Sequence, residues 1–270
     1  MTAHLGLIGG GNMAYAIVSG LIASGYPANH IHVSDPSETS RDRLSGLGVH
    51  TTDKNQDIVA RASVIIFAVK PQVFRAVGEP LAGQFSQQHT VLSICAGIPI
   101  KRIREVLQLS EEQRVVRVMP NTPCLIGEGM SCLTSDRPVA EAEKASLAAL
   151  FTSCGQALWV ADEEAIDAVT AVSGSGPAYF FLLMESMMRS AARLGLPESV
   201  ARQLVLQTAV GSALMARQAS DPPAVLRAQV TSPGGTTQAA LEVFEEGDFP
   251  GLVDQALIAA RDRAFALAQD

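Results

Sequence analysis

"LGLIGGGNMAYAI", residues 5–17, decides the fold. A short apolar run ends in Gly9-x-Gly11-x-x-Ala14 and passes straight into a stretch of helical composition. Each small residue has its own physical task. Gly9 makes a tight turn, Gly11 lets the backbone approach a pyrophosphate, and Ala14 lets the helix pack on the strand. The helix amino terminus then offers unpaired N–H groups and the positive end of its dipole to the diphosphate. A Gly-rich turn alone says little. Here strand, turn and helix occur in the required order, and Asp35 closes the next predicted strand, so a dinucleotide site is expected.

The same alternation continues outward. "IHVS" (31–34), "SVIIFAV" (63–69), "TVLSI" (90–94) and "RVVRVM" (114–119) read as buried parallel strands. The segments between them, such as 13–24 and 37–47, are long enough for crossover helices. Residues 1–162 are therefore expected to form an α/β Rossmann-type domain. After Glu163 the β signal fades. Segments 179–194, 198–219 and 252–268 have helical length, with Gly or Pro at their joints, so 163–270 reads as all-α. "AYFFLLMESMMRSAARLGL" (178–196) is apolar around most of its circumference. Such a helix needs burial on several sides, which a domain this small does not offer, so a second subunit is expected to cover it.

Composition narrows the function. Of 270 residues, 47% are apolar and 17% charged, with a net charge of −7, which argues against nucleic acid as partner. Apolar stretches are interrupted by Glu, Arg, Ser or Gly, so no membrane span or leader is expected. Cys95, Cys124, Cys132 and Cys154 form no C-x-x-C pair and read as reduced thiols of a cytoplasmic protein. The five histidines all lie at or before residue 89 with no zinc-binding spacing.

Two other strand ends suit a dinucleotide. "AVKPQ" (68–72) and "CAG" (95–97) follow predicted strands, and Ala68, Ala96 and Gly97 are small enough to lie against a ring or ribose. Lys70 is either a solvated surface charge or a catalytic group, and Pro71 can start the next helix. Asp35 suits a ribose diol and favours NADH. Ser34, Ser37 and Arg41, near the same strand end, suit a 2′-phosphate and favour NADPH. No His follows residue 89 and no Lys follows 144. The helical half thus lacks the usual acid/base of hydroxyacid dehydrogenases, which fits an already protonated imine substrate.

"QVTSPGGTTQAAL" (229–241) breaks the helical half. Thr236 or Thr237 can cap a helix over 238–245. Alternatively, the loop holds a ligand, and Gly234 and Gly235 let it approach the backbone. In "AVSGSGPAY" (171–179), the small residues can kink a helix before Pro177.

"IGGGNM", "AVKPQ", "RVMPNTP" (117–123), "AVSGSGPAY" and "VTSPGGTT" occur in the order seen in pyrroline-5-carboxylate reductases, and the chain resembles that family over nearly its whole length. The resemblance implies a Rossmann domain, a helical dimerisation domain and, in many members, rings of dimers. It implies reduction of Δ1-pyrroline-5-carboxylate to L-proline with NADPH or NADH, with NADPH the expected cofactor here. By motif, Ile8, Gly9, Gly10, Gly11, Asn12 and Met13 line the cofactor, with Asn55, with Ala68, Val69, Lys70 and Pro71, and with Ile94, Cys95 and Ala96. Glu163, Ser232, Gly234, Gly235, Thr236 and Thr237 meet the substrate, Thr237 at the reacting nitrogen. The chain departs from many relatives at Gln229, where they have Asn. Two other readings stay open: a reductase of a related cyclic imine, and a non-catalytic NADP(H)-binding regulator.

Overall fold

The computed structural model describes residues 3–269. Eight strands form one sheet: β1 (Leu5–Ile8), β2 (Ile31–Ser34), β3 (His50–Thr52), β4 (Val64–Phe67), β5 (Thr90–Ser93), β6 (Arg114–Met119), β7 (Gly129–Ser135) and β8 (Gly155–Trp159). Their spatial order is β3-β2-β1-β4-β5-β6-β7-β8. The first six are parallel, in the order of a dinucleotide-binding sheet. β7 runs antiparallel to β6, and β8 is parallel to β7. The five expected strands are present. β3, β7 and β8 are additional, and they occupy the two flanks.

Helices cover both faces. In chain order they are α1 (Asn12–Ala23), α2 (Glu38–Ser45), α3 (Asn55–Arg61), α4 (Phe74–Gly78), α5 (Ile100–Leu107), α6 (Glu141–Thr152) and α7 (Glu163–Val169). Leu5, Leu7, Ile17, Leu21 and Phe151 belong to one core cluster. Ile8, Ile65, Phe67, Phe74 and Ile103 belong to another. Successive residues of a strand face opposite sides, so strands covered on both faces read as continuous apolar runs. Each such side chain contributes roughly 1.5–3 kcal/mol on burial. Ala14 is fully buried, as the expected contact of α1 with the sheet requires.

The chain divides into two compact units. One runs to Ser175 and takes in the chain from Ala259 onward; it contains the sheet. The other, Gly176–Ile258, is helical: α8 (Gly176–Arg193), α9 (Glu198–Gln218), α10 (Pro223–Gln229), α11 (Thr236–Glu246) and the first part of α12 (Phe249–Gln269). Between α7 and α8 lies a π-helical turn, Thr170–Gly174, closed by Ser175 N–H donating to Thr170 O at 2.8 Å. Glu163–Arg193 is one continuous helical stretch, long and apolar enough by length and composition to cross a membrane. The sequence reading did not anticipate a span of that length, because isolated Glu and Arg do not interrupt a helix.

The capping expectation for α11 is corrected. Gly235 is the N-cap, and no side chain caps it. Thr236 and Thr237 are the first two helical residues instead. Gly234, at φ +69°, makes the preceding turn, and its N–H donates to Gln238 Oε1 at 2.8 Å. A left-handed residue there lets the chain enter the helix without a hydroxyl cap.

At the amino ends of the first strands, four histidines stack. Ring centroids are 4.4 Å apart for His4–His30, 5.4 Å for His4–His32 and 5.0 Å for His32–His50. Burial, then the neighbouring His50, His4, Arg61 and His30, push the His32 imidazole down to about 4. Its folded value therefore lies below the unfolded value near 6.5. Between those two values the unfolded chain binds the extra proton, so stability is complete above about pH 6.5 and falls as pH drops toward 4. His32→Asn should flatten the dependence of Tm on pH between 4 and 6.5. A parental slope in the variant would show that His32 is not the group responsible.

Candidate active site

The carboxyl ends of β1, β2, β4 and β5 meet in one place. Gly9 N–H donates to Ser34 O at 2.8 Å, Ala68 N–H to Ile8 O at 2.8 Å, and Ile94 N–H to Phe67 O at 3.0 Å. The structure thus brings Ile8–Met13, Ser34, Asp35, Ala68–Pro71 and Ile94–Ala96 together, as expected of residues drawn from separate motifs. Asn55 joins them from the start of α3, where its Oδ1 accepts from Ser34 Oγ at 2.8 Å.

The Gly-rich turn fits a dinucleotide. Gly9 has φ +103°, and a Cβ there would lie 2.6 Å from Ala68 O. A Cβ on Gly10 would press on Leu44 and Asp35, whereas one on Gly11 would meet nothing within 4 Å. That open space lies at the amino terminus of α1, where no acidic residue occupies the first turn. A diphosphate placed there meets the helix N–H groups directly.

Asp35 also shapes the turn itself. Its Oδ2 accepts from Gly10 N–H at 2.7 Å and its Oδ1 from Ser37 N–H at 2.8 Å. The carboxylate braces the turn against the loop after β2. Arg41 Nη1 donates to the carbonyls of Asp35 and Pro36, which holds its guanidinium at the same strand end. Arg43, which the sequence reading did not single out, donates to Asn12 Oδ1 at 3.0 Å and lies 3.6 Å from the Tyr15 ring centroid. No local spacing links Arg43 to Asn12; only the docking of α2 does.

Lys70 is exposed and precedes the 3-10 turn Pro71–Val73, where Pro71 takes the first position as expected. Cys95 is buried, and its thiol donates to Val69 O at 3.2 Å. Burial pushes that thiol up to about 11, so it stays protonated and packs as a small apolar group.

Glu163 opens α7 behind Asp162, whose side chain accepts from Ala165 N–H. Glu163 Oε1 accepts from Ile100 N–H at 2.9 Å and pairs with Arg117 Nη1 at 3.2 Å, while Arg117 Nη2 reaches Asp167 Oδ1 at 3.3 Å. Arg117 was also not singled out in the sequence. It is the buried one of two arginines in an apolar strand, and a buried charge requires carboxylate partners.

In the helical unit, Ser232 O accepts from Gly235 N–H at 3.0 Å and closes the turn. Ser232 and Gly234 are exposed, and Thr237 is half-buried. The Thr236 and Thr237 hydroxyls make no hydrogen bond to another described residue, and their N–H groups belong to the first, unpaired turn of α11. Gln229 is exposed, and its Nε2 lies 3.4 Å from Asp221 Oδ2.

Known proteins share this chain's fold and much of its sequence. Residues 163–267 match the family described as pyrroline-5-carboxylate reductase dimerisation, and residues 4–97 match NADP oxidoreductase coenzyme F420-dependent. A pyrroline-5-carboxylate reductase of Pseudomonas aeruginosa is 44% identical over 269 residues, covering 99% of this chain and 98% of that protein. One from Arabidopsis thaliana is 38% identical, covering 98% and 95%. The solved structure of a pyrroline-5-carboxylate reductase from Coxiella burnetii superposes with a TM-score of 0.92 at 38% identity, covering 99% of each chain. A Plasmodium falciparum pyrroline carboxylate reductase with NADP bound gives 0.85 at 30% identity, covering 98% of each. At this identity over nearly the full length, and with residues 163–267 matching the family's dimerisation model, the chain belongs to the pyrroline-5-carboxylate reductase family.

Proposed function

We propose that this chain reduces Δ1-pyrroline-5-carboxylate to L-proline with NAD(P)H. The observation that carries this reading is the pairing, in one chain, of a built dinucleotide turn with the uncapped first turn of α11 after Ser-Pro-Gly-Gly. When bound, the reduced nicotinamide supplies the hydride that adds to the imine carbon. Gly9–Met13, Ser34, Asn55, Ala68–Pro71 and Ile94–Ala96 hold the dinucleotide. The N–H groups of Gly235–Thr237 take the substrate carboxylate, and Gly234 and Gly235 leave it space. Thr237 Oγ1 bonds the ring nitrogen: its hydroxyl donates to the imine lone pair before protonation and to the amine lone pair after hydride transfer. Glu163 contacts the substrate. Positioning of this kind supplies much of the rate.

NADPH is the preferred cofactor in this reading. Both Asp35 oxygens already accept backbone N–H groups, which weakens the case for Asp35 as a dedicated ribose-diol ligand. Ser37 and Arg41 flank it. The enzyme works as a homodimer, with a ring of such dimers as the higher assembly, in the cytoplasm, where free buried thiols persist.

The direct test is to mix protein, pyrroline-5-carboxylate and NADPH and to follow loss of reduced-nicotinamide absorbance together with proline formation; no proline would end this reading. Thr237→Ser should keep most activity. Thr237→Val keeps the shape but removes a hydrogen bond worth about 1–3 kcal/mol, so kcat/KM should fall roughly fivefold to a hundredfold while NADPH still binds. Parental turnover by Thr237→Val would return Thr237 to a structural role. Arg41→Ala should lower the NADPH-to-NADH efficiency ratio about tenfold, the loss of one charge-assisted contact. An unchanged ratio would show that Arg41 does not hold the 2′-phosphate. Light scattering at micromolar concentration should give a dimer or a multiple of it, and a monomer would contradict the assembly.

A further inference from the structure

Arg117 is 3% exposed in β6, between β5 and β7, where an unpaired charge would be strongly unfavourable. Its two carboxylate partners are not equivalent. Asp167 is buried on α7, but the Glu163 side chain, one turn earlier, is 32% exposed. Glu163 Oε1 is held twice, by Arg117 Nη1 at 3.2 Å and by Ile100 N–H at 2.9 Å. Its Oε2 has no partner among the described residues.

The location is also specific. Arg117 pairs with Ser93 in the parallel ladder, immediately before the cofactor segment Ile94–Ala96. Ile100 opens α5 just after that segment. The Glu163 carboxylate is therefore anchored on both sides of the chain that leaves β5 for the dinucleotide site.

We propose that Arg117 is a positioning residue for imine reduction: by fixing Glu163 Oε1 it leaves Oε2 to accept the N–H of a five-membered cyclic iminium and of its amine product. This rests on the reading that Glu163 meets the substrate. A glutamate released from Arg117 samples several rotamers, so fewer molecules hold the competent geometry. Arg117 touches neither substrate nor cofactor and acts only through Glu163.

The test is a double-mutant cycle read as KM and kcat for pyrroline-5-carboxylate at saturating NADPH, well below each variant's Tm, with NADPH affinity measured separately by nicotinamide fluorescence. Arg117→Lys retains a charge but cannot serve both carboxylates in a fork, and should raise KM about tenfold, while NADPH affinity changes less than about twofold. Arg117→Met, where it folds, should do worse. In a Glu163→Gln background, Arg117→Lys should add almost nothing, because residues acting through one contact are not additive. Parental KM in Arg117→Lys, or additive losses in the double variant, would overturn the proposal and leave Arg117 a structural ion. Parental KM in Glu163→Gln has a different meaning: the substrate role of Glu163 itself would fail.

Discussion

The approach of β1 to β4 at Gly9 sets the geometry of everything around it. A side chain there would lie 2.6 Å from Ala68 O and force the two strand ends apart. It would strain the Ala68 N–H to Ile8 O bond and, on the other side of β1, the Gly9 N–H to Ser34 O bond. Because both survive, the chain turns within two residues and α1 starts with its amino terminus over the strand ends. The diphosphate site is a consequence of that tight turn, since its donors are the N–H groups that the turn leaves unpaired.

Backbone and carboxylates cooperate around this end of the sheet. Asp35 accepts from Gly10 N–H, and Glu163 accepts from Ile100 N–H. In each case a carboxylate from a distant segment satisfies the first N–H of a turn or helix beside a cofactor-lining stretch. Such charge-assisted bonds are stronger than neutral ones and fix orientation as well as position. Asp35 is thereby drawn into shaping the turn, which alters its expected part in cofactor choice. Glu163 is held by one oxygen, and the second oxygen keeps its acceptor capacity.

Elements whose pattern follows from burial on both faces were legible: β1, β2, β4, β5 and β6 appear where continuous apolar runs required them. The missed strands lack that pattern. His50–Thr52 is three polar-leaning residues at one edge, and Gly155–Trp159 alternates half-buried with exposed positions at the other. In β7, Gly129–Ser135 mixes Gly, Ser, Cys and Thr, because Gly129 packs against Cys124 too closely for a Cβ. The turn before α11 was recognised, but its cap was assigned to a threonine when Gly235 is the N-cap, with no side-chain cap, behind a left-handed Gly234. Side-chain networks were not legible. Arg43 and Arg117 find their partners 31 and up to 50 residues away, so only the tertiary arrangement reveals them.

The helical unit makes a different physical demand. Within Gly176–Ile258 only Gly176, Ala201 and Val205 are buried. Phe180, Phe181 and Leu182 on α8 are each more than 60% exposed, and Leu204, Met215, Val243 and Leu252 add apolar surface on other helices. An apolar area of this extent does not stay in water on a stable monomer. It resembles half of a core, which is the character of an obligate interface. The match of residues 163–267 to a dimerisation family identifies the missing half as a second copy. Folding of this unit and assembly are then one process, so its stability must depend on protein concentration. The sheet-bearing unit is under no such requirement, because two core clusters already cover both faces of its sheet.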